Sequence, residues 1–386
     1  MHCGGDVLEL VERLRVLVLL SLSPKDGHAK AQSAAAATDA SVAKMMADHK
    51  FPGAAVLVMR GGKIIFQKGY GFANVEHKVP VTPQTMFQTG SVGKIFTSLA
   101  LERLAEQGKW KLDDPICPHL PQCPDSWKAI IFDQLVRHTS GIPDWEHKGK
   151  TGEIVTAIKY RTDYSDADFL RIAQGLPLNF APGTGQFYSN TAYVIAAVLI
   201  NLAAGMHYSE YLSREIFKPA GMPTARILSD ADIVPNRAAG YEIYQGKIRN
   251  QSWNSASINS TADGSLYFSL NDYAAWFRSM GRNPRTTTAH KYADRVVTLP
   301  SGKRVKYATG WTVIDEKGKR LQEKTGQWQG FRAYTFWVPS EDFAVVLLIN
   351  GCVVDEDGNA TDPGISQFGQ AIVSHFRTGT DFSAGE

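Results

Sequence analysis

The chain has 386 residues, 44% hydrophobic and 20% charged, which is enough apolar side chain for a large core and enough charge to solvate its surface. Its 41 Lys+Arg stand against 38 Asp+Glu, a formal charge of +3 without a basic block, which argues against nucleic acid or an anionic membrane surface as partner. No collagen-like glycine period occurs, and the N-terminal apolar run, residues 16–22, is far shorter than the roughly 20 residues of a bilayer span.

At the N-terminus, Arg13 and Arg15 precede that apolar run, and Ala29-Lys30-Ala31 offers a small-x-small cleavage pattern. An Ala-rich stretch, residues 34–37, then reads as a linker. These features predict a secretory leader and linker over residues 1–38, and a periplasmic or secreted protein. Asp6, Glu9 and Glu12 depart from the usual positive start, and a short amphipathic helix with a tail is the alternative. Cys3 would leave with the leader.

In chain order, the spacing of apolar residues predicts a helix over 39–49 and two strands, 54–59 and 63–69, around the hairpin signal Arg60-Gly61-Gly62. Helices follow at 96–106, 131–136, 166–173, 191–204 and 270–280. Strands follow at 310–315, 322–325, 332–338 and 343–349, the last an unbroken apolar run suited to a central strand. A helix over 365–376 closes the chain. A hairpin cannot bury its face alone. The economical solution is one sheet assembled from both chain ends, residues 39–90 and 260–386, with a mainly helical region, 91–259, inserted between. That is an α+β chain with an antiparallel sheet flanked by helices and an active site between the two parts.

Cys117 and Cys123 bracket the loop Cys-Pro-His-Leu-Pro-Gln-Cys, with Pro115 and Pro124 outside it. The stiff loop suits a disulfide in an oxidising compartment. The rival reading adds His119 as a metal ligand, but three ligands without a fourth fit a structural zinc poorly, so no metal is expected. Cys352, after the apolar run, reads as a buried core thiol.

Three short motifs carry chemistry. Ser91 lies after Gly90 at a predicted helix start, with Lys94 one turn on, so a partly desolvated amine can activate the hydroxyl as a nucleophile. Ser41-Val42-Ala43-Lys44 has the same spacing, so the pattern alone is weak. Tyr188-Ser189-Asn190 follows a turn-rich approach. A tyrosine whose pKa is lowered by a lysine can shuttle protons, and an asparagine amide can hold a substrate carbonyl. Lys324-Thr325-Gly326, followed by Gln327, lies on a predicted strand where a cation and a hydroxyl can bind an anion while glycine admits the substrate. Lys150-Thr151-Gly152 is its decoy in a polar loop. A Ser–His–Asp set using His138 with Asp133 or Asp144 is disfavoured, because Thr89 stands where a nucleophile elbow needs glycine.

Together, in order, the three motifs resemble the signature boxes of penicillin-recognising serine hydrolases: class C β-lactamases, their D-alanyl-D-alanine carboxypeptidase relatives and family VIII carboxylesterases. The segment from Leu135 through His138-Thr139-Ser140-Gly141 to Pro143, and Asp263-Gly264-Ser265-Leu266-Tyr267, are similar to two further family segments. The resemblance runs from about Asp39 to His375. It implies a β-lactamase/transpeptidase-like fold, Ser91 as nucleophile, Lys94 as the group that takes or tunes its proton, and Tyr188 as proton carrier. Asn190 and Lys324 would position the substrate, with Thr325 and Gly326 beside them. The backbone N–H groups of Ser91 and Gln327 would form the oxyanion hole. No metal or organic cofactor is implied. Lys-Thr-Gly matches the β-lactamases, Tyr-Ser-Asn some carboxypeptidases, and Gln327 departs from the lactamase serine. The expected activity is therefore acyl-enzyme hydrolysis of β-lactams or D-Ala peptides. The alternative is a carboxylesterase on small acyl esters, with Trp145, Trp253, Trp328 and Phe331 as pocket candidates, and a non-catalytic penicillin-binding sensor is the lesser one. The expected partner is thus a small-molecule substrate, with no nucleic acid and no transmembrane segment, and the chain is expected to be a monomer or weak oligomer.

Overall fold

The structure, a computed structural model, describes residues 24–148, 154–228, 231–280, 297–380 and 382. Two strongly apolar stretches come from opposite ends of the chain and pair with each other. From the N-terminal part come β1 (Gly53–Arg60), β2 (Lys63–Asn74) and β3 (Val79–Pro80). From the C-terminal part come β4 (Tyr307–Ala308), β5 (Trp311–Glu316), β6 (Lys319–Trp328), β7 (Phe331–Val338) and β8 (Phe343–Ile349). They form one antiparallel eight-stranded sheet in the order β4-β5-β6-β7-β8-β1-β2-β3. The join is β1 to β8, running from Ala54 opposite Ile349 to Arg60 opposite Phe343.

Both faces of that join are covered. Ala55, Leu57 and Met59 share one core with Val346 and Leu348, while Ala54, Val56 and Val58 share another with Val345, Leu347 and Ile349. A polar side chain on either face would be desolvated without a partner, which is why residues 344–349 show no alternation.

Among the helices are α1 (Pro24–His49), α2 (Lys94–Glu106), α3 (Phe132–Val136), α4 (Asp166–Gly175), α5 (Asn190–Ala204), α6 (Leu270–Ser279) and α7 (Ile365–Phe376). α1 and α7 cover one face of the sheet through Val42, Met45, Ile372 and Val373. α6 packs on the opposite face, and its Trp276 shares a core with Phe96 and Leu99 of α2 and Ile195 of α5. α5 is buried along Thr191–Ile200 and sits at the centre of the helical part. No single helix among the described residues is long and apolar enough to cross a membrane.

The first helix is longer than its predicted span of 39–49. Residues 29–31 and 34–37, expected as a cleavage site and a linker, lie inside α1. Alanine favours helix, and Ala34, Thr38, Val42 and Met45 recur at helical spacing as a buried stripe. Cys3, the run 16–22 and Lys150-Thr151-Gly152 lie outside the described residues. Region 91–259 is not only helical. Strands Tyr241–Tyr244 and Lys247–Asn250 form a small sheet with Cys352–Val354, which joins Tyr241–Tyr244 in parallel. Strands this short leave too little periodicity to read.

A disulfide joins Cys117 to Cys123, Cα atoms 5.4 Å apart. The His119 ring packs on Trp110 and Phe132, centroids 5.6 and 5.2 Å away. Cys352 is a free, buried thiol.

Because Leu347 is fully buried in the central strand, Leu347→Ala is expected to cost about 3 kcal/mol. In a urea titration the midpoint should fall with the slope unchanged.

Candidate active site

Gly90 takes φ of 53°, a left-handed conformation that glycine adopts without strain. A 3-10 turn, Gly90–Gly93, follows, and the α-helix begins at Lys94. Ser91 therefore does not open the α-helix as expected. It sits on the preceding turn, where side chains three apart eclipse each other. That geometry brings Lys94 Nζ to 3.1 Å from Ser91 Oγ.

Lys94 is fully buried. Its ammonium donates to Ser91 Oγ, to Asn190 Oδ1 at 2.7 Å and to the main-chain carbonyl of Asp263 at 2.6 Å. Burial pushes its pKa down to about 8, opposed by the charges of Asp263 and Asp144. Tyr188 immediately precedes Ser189, the N-cap of α5. Its hydroxyl donates to Ser91 Oγ at 2.8 Å. Tyr188 keeps 40% of its surface exposed, yet packing around its inward-facing hydroxyl holds the pKa above the ordinary phenol value, against the Ser91 hydrogen bond. This reverses the expected lowering: desolvation, reinforced by the charges of Asp263 and Asp144, outweighs the Ser91 hydrogen bond.

Lys324, Thr325, Gly326 and Gln327 run along β6 beside the Ser91 turn. A Cβ on Gly326 would strike the Thr89 carbonyl, and one on Gly90 would strike the Gln327 backbone, so strand and turn touch through glycine. The Lys324 ammonium lies 5.0 Å from the Tyr188 ring centre and 4.8 Å from that of Tyr307. Burial, then the like charge of Lys94, holds its pKa well below the ordinary ammonium range. Its cation is supported by aromatic faces.

Ser91, Lys94, Tyr188 and Asn190 thus meet in one hydrogen-bonded cluster, with Lys324 behind the Tyr188 ring. The decoy pair does not meet. Ser41 Oγ contacts His375 Nε2 at 2.9 Å, while Lys44 pairs with Asp48. His138 is not a triad base either. It is buried against Tyr188, Tyr193 and Tyr307, and its Nδ1 accepts from the Ser189 amide at 3.1 Å. Burial and the charges of Lys324 and Lys94 hold the ring neutral. Asp133 pairs with Arg137.

Of the expected aromatic lining, Trp145 and Phe331 are buried in the cores. Trp328 stands beside Gly264 and donates to Asn259 Oδ1 at 3.0 Å, and Trp253 is exposed. Sequence reasoning did not single out Tyr193 or Tyr307, whose rings face Lys94 and Lys324. Tyr193 carried a signal, one turn after Asn190 on the same helix. Tyr307 carried none.

Gly326→Ala should push β6 away from the Ser91 turn. An overpacking cost of about 1–3 kcal/mol is expected, read as a lowered melting temperature together with weaker reactivity of Ser91.

A family model described as Beta-lactamase matches residues 38–369. Protein flp of Staphylococcus aureus (strain MRSA252) is 26% identical over 308 residues, covering 78% of this chain and 59% of its own length. A D-aminopeptidase of Gluconobacter oxydans (strain 621H) is 28% identical over 326 residues, covering 82% and 59%. The chain spans about three fifths of the length of these curated relatives. A penicillin-binding protein of Bacillus subtilis (strain 168) is 29% identical over 297 residues, covering 73% and 64%. Among solved structures, the octameric penicillin-binding protein homologue from Pyrococcus abyssi shares the fold. Its TM-score is 0.72 at 24% identity, with 88% of this chain and 76% of that one covered.

Proposed function

Because the chain belongs to the beta-lactamase family, we propose that it is a serine acyl hydrolase working through an acyl-enzyme on Ser91, with β-lactams or D-Ala peptides as substrates. The observation that carries this reading is the convergence of Lys94 Nζ and Tyr188 OH on Ser91 Oγ. The D-aminopeptidase and penicillin-binding relatives support acyl groups built on D-amino acids.

In the ammonium form, all three Lys94 protons are donated. With a pKa of about 8, about one molecule in ten carries neutral Lys94 at pH 7. In that form the Ser91 hydroxyl donates to the amine instead. Lys94 takes the proton as Oγ attacks the acyl carbonyl. The backbone N–H groups of Ser91 and Gln327 receive the oxyanion. The proton passes through Tyr188 to the departing amine, leaving the ester on Oγ. Water then repeats the sequence: its proton returns to Ser91 and its hydroxyl leaves with the acid. Tyr188 stays a neutral phenol between steps, accepting and giving a proton in concert, as its raised pKa requires. Asn190, Thr325 and Gly326 would flank the substrate, and Lys324, in its protonated form, would favour a substrate anion.

A carboxylesterase is the second reading. It is favoured by the burial of Lys324 behind Tyr188 and Tyr307, which withdraws the anion-binding charge from the surface. The Cys117–Cys123 disulfide suits a periplasmic or secreted location. We take the chain as a monomer or weak oligomer, to be tested by sedimentation because a structural neighbour is octameric.

Intact mass after mixing with benzylpenicillin is expected to show a penicilloyl adduct on the wild type and on Ser41→Ala, and none on Ser91→Ala. Adduct on Ser91→Ala would remove the nucleophile assignment. No adduct and no drug loss, with turnover of a p-nitrophenyl ester, would favour the esterase. Sign and midpoint of the pH profile follow from Lys94. Its neutral form is the active one, so the acylation rate should rise with pH through about 8, as stopped-flow acylation would show.

A further inference from the structure

One acceptor of the buried Lys94 ammonium is a side-chain amide, and an amide has two ends. Asn190 presents Oδ1 to Lys94 Nζ at 2.7 Å. Its Nδ2 donates to Asp144 Oδ2 at 2.9 Å. An ammonium is only a donor and an ionised carboxylate only an acceptor. The two partners therefore demand the same amide orientation, and turning Asn190 over would set NH₂ against NH₃⁺ and carbonyl against carboxylate.

Asp144 is itself fastened. It is buried, and its Oδ2 also accepts from the Asn190 main-chain N–H at 3.3 Å. Its Oδ1 accepts from Thr191 Oγ1 at 3.5 Å, while Thr191 Oγ1 accepts from the Trp145 amide at 2.8 Å. One step back, Ser189 donates through its amide to His138 Nδ1 and through its hydroxyl to the Pro143 carbonyl. Segment 138–145 is thus laced to the start of α5 at three consecutive residues, Ser189, Asn190 and Thr191.

We propose that Asp144 is a positioning residue of the active site: its carboxylate holds the Asn190 amide so that Oδ1 faces Lys94, and through Lys94 it sets the reactivity of Ser91. This rests on Ser91 being the nucleophile. Asp144 contacts Asn190 and Thr191 at the start of α5, and it acts on Lys94 through the Asn190 amide and through its charge. The charged groups around Lys94 are few. Asp144 and Asp263 stabilise the ammonium and burial opposes it. Lys324 on β6 lies behind Tyr188, His138 is neutral, and the Tyr188 and Tyr193 rings complete the wall. Removing the Asp144 charge leaves burial with less opposition, so Lys94 loses its proton at lower pH. Asp144→Asn separates the two effects, because it keeps an oxygen for Asn190 Nδ2 and loses the charge.

The test is the rate at which a fluorophosphonate labels Ser91, followed by intact mass between about pH 6 and about pH 9, which requires no substrate identity. Asp144→Ala is expected to slow the plateau rate of labelling about 10-fold or more, and to slow that plateau no further in an Asn190→Ala background, because once Lys94 is neutral the Asp144 charge no longer matters and only its hold on Asn190 remains. Asp144→Asn should keep the plateau rate within about 3-fold while the midpoint moves down by about half a pH unit or more. Wild-type labelling rates in Asp144→Ala, multiplying losses in the double variant, or an unmoved midpoint in Asp144→Asn would each overturn the role. If Asp144→Ala does not fold, the midpoint of Asp144→Asn decides alone, since a merely structural aspartate would leave it in place. A wild type that takes no label would instead remove the nucleophile reading, and this role with it.

Discussion

Burying the Lys94 ammonium is the constraint around which the site is built. Taking an ammonium out of water costs several kcal/mol unless its donors are met. The chain meets all three with oxygens from separate places: the Ser91 hydroxyl, the Asn190 amide and the Asp263 carbonyl. That forces the turn before α2, the start of α5 and the loop around residue 263 to one point. The same enclosure lowers the Lys94 pKa and raises that of Tyr188. Both groups are thereby kept nearer their neutral forms, as proton exchange at a serine requires. Lys324 answers burial differently, with two tyrosine faces.

The precision of that point is inherited from the sheet. β6 carries Lys324 to Gln327 past the Ser91 turn, in contact through Gly326 and Gly90. Its position depends on β7 and β8 in register, and β8 in turn pairs with β1 from the other end of the chain. Cores on both faces hold the joined strands flat against helices on either side. A slip of one residue in β6 would exchange its faces and turn Lys324 away from Tyr188. Sheet closure and site geometry are one problem.

Long elements with strong periodicity were legible. The helices at 94–106, 190–204 and 365–376 and the strands at 53–60 and 343–349 follow from apolar spacing that their own residues carry. The start of α1 was not, because an alanine run favours helix but shows no apolar face to mark one. Only the sheet beneath makes Ala34, Thr38, Val42 and Met45 a buried stripe. The Ser91, Lys94, Tyr188 and Asn190 cluster was readable as three motifs in order. Its supports, Tyr307 and the laced segment 138–145, were not, since nothing local marks a ring or a carboxylate that acts through a distant partner.

The sequence by itself determined where the chain coils and extends, which residue types sit one turn apart, and which family boxes are present. These are local properties, set by spacing along a single segment. The tertiary structure decided between Ser91-x-x-Lys94 and Ser41-x-x-Lys44, two pairs with identical spacing. One lysine is enclosed and reaches its serine, while the other is exposed on a helix and pairs with Asp48. It also decided that the Tyr188 pKa rises rather than falls, and which way the Asn190 amide faces. Those outcomes depend on desolvation and on hydrogen bonds between residues far apart in the chain, and neither exists until the chain has folded.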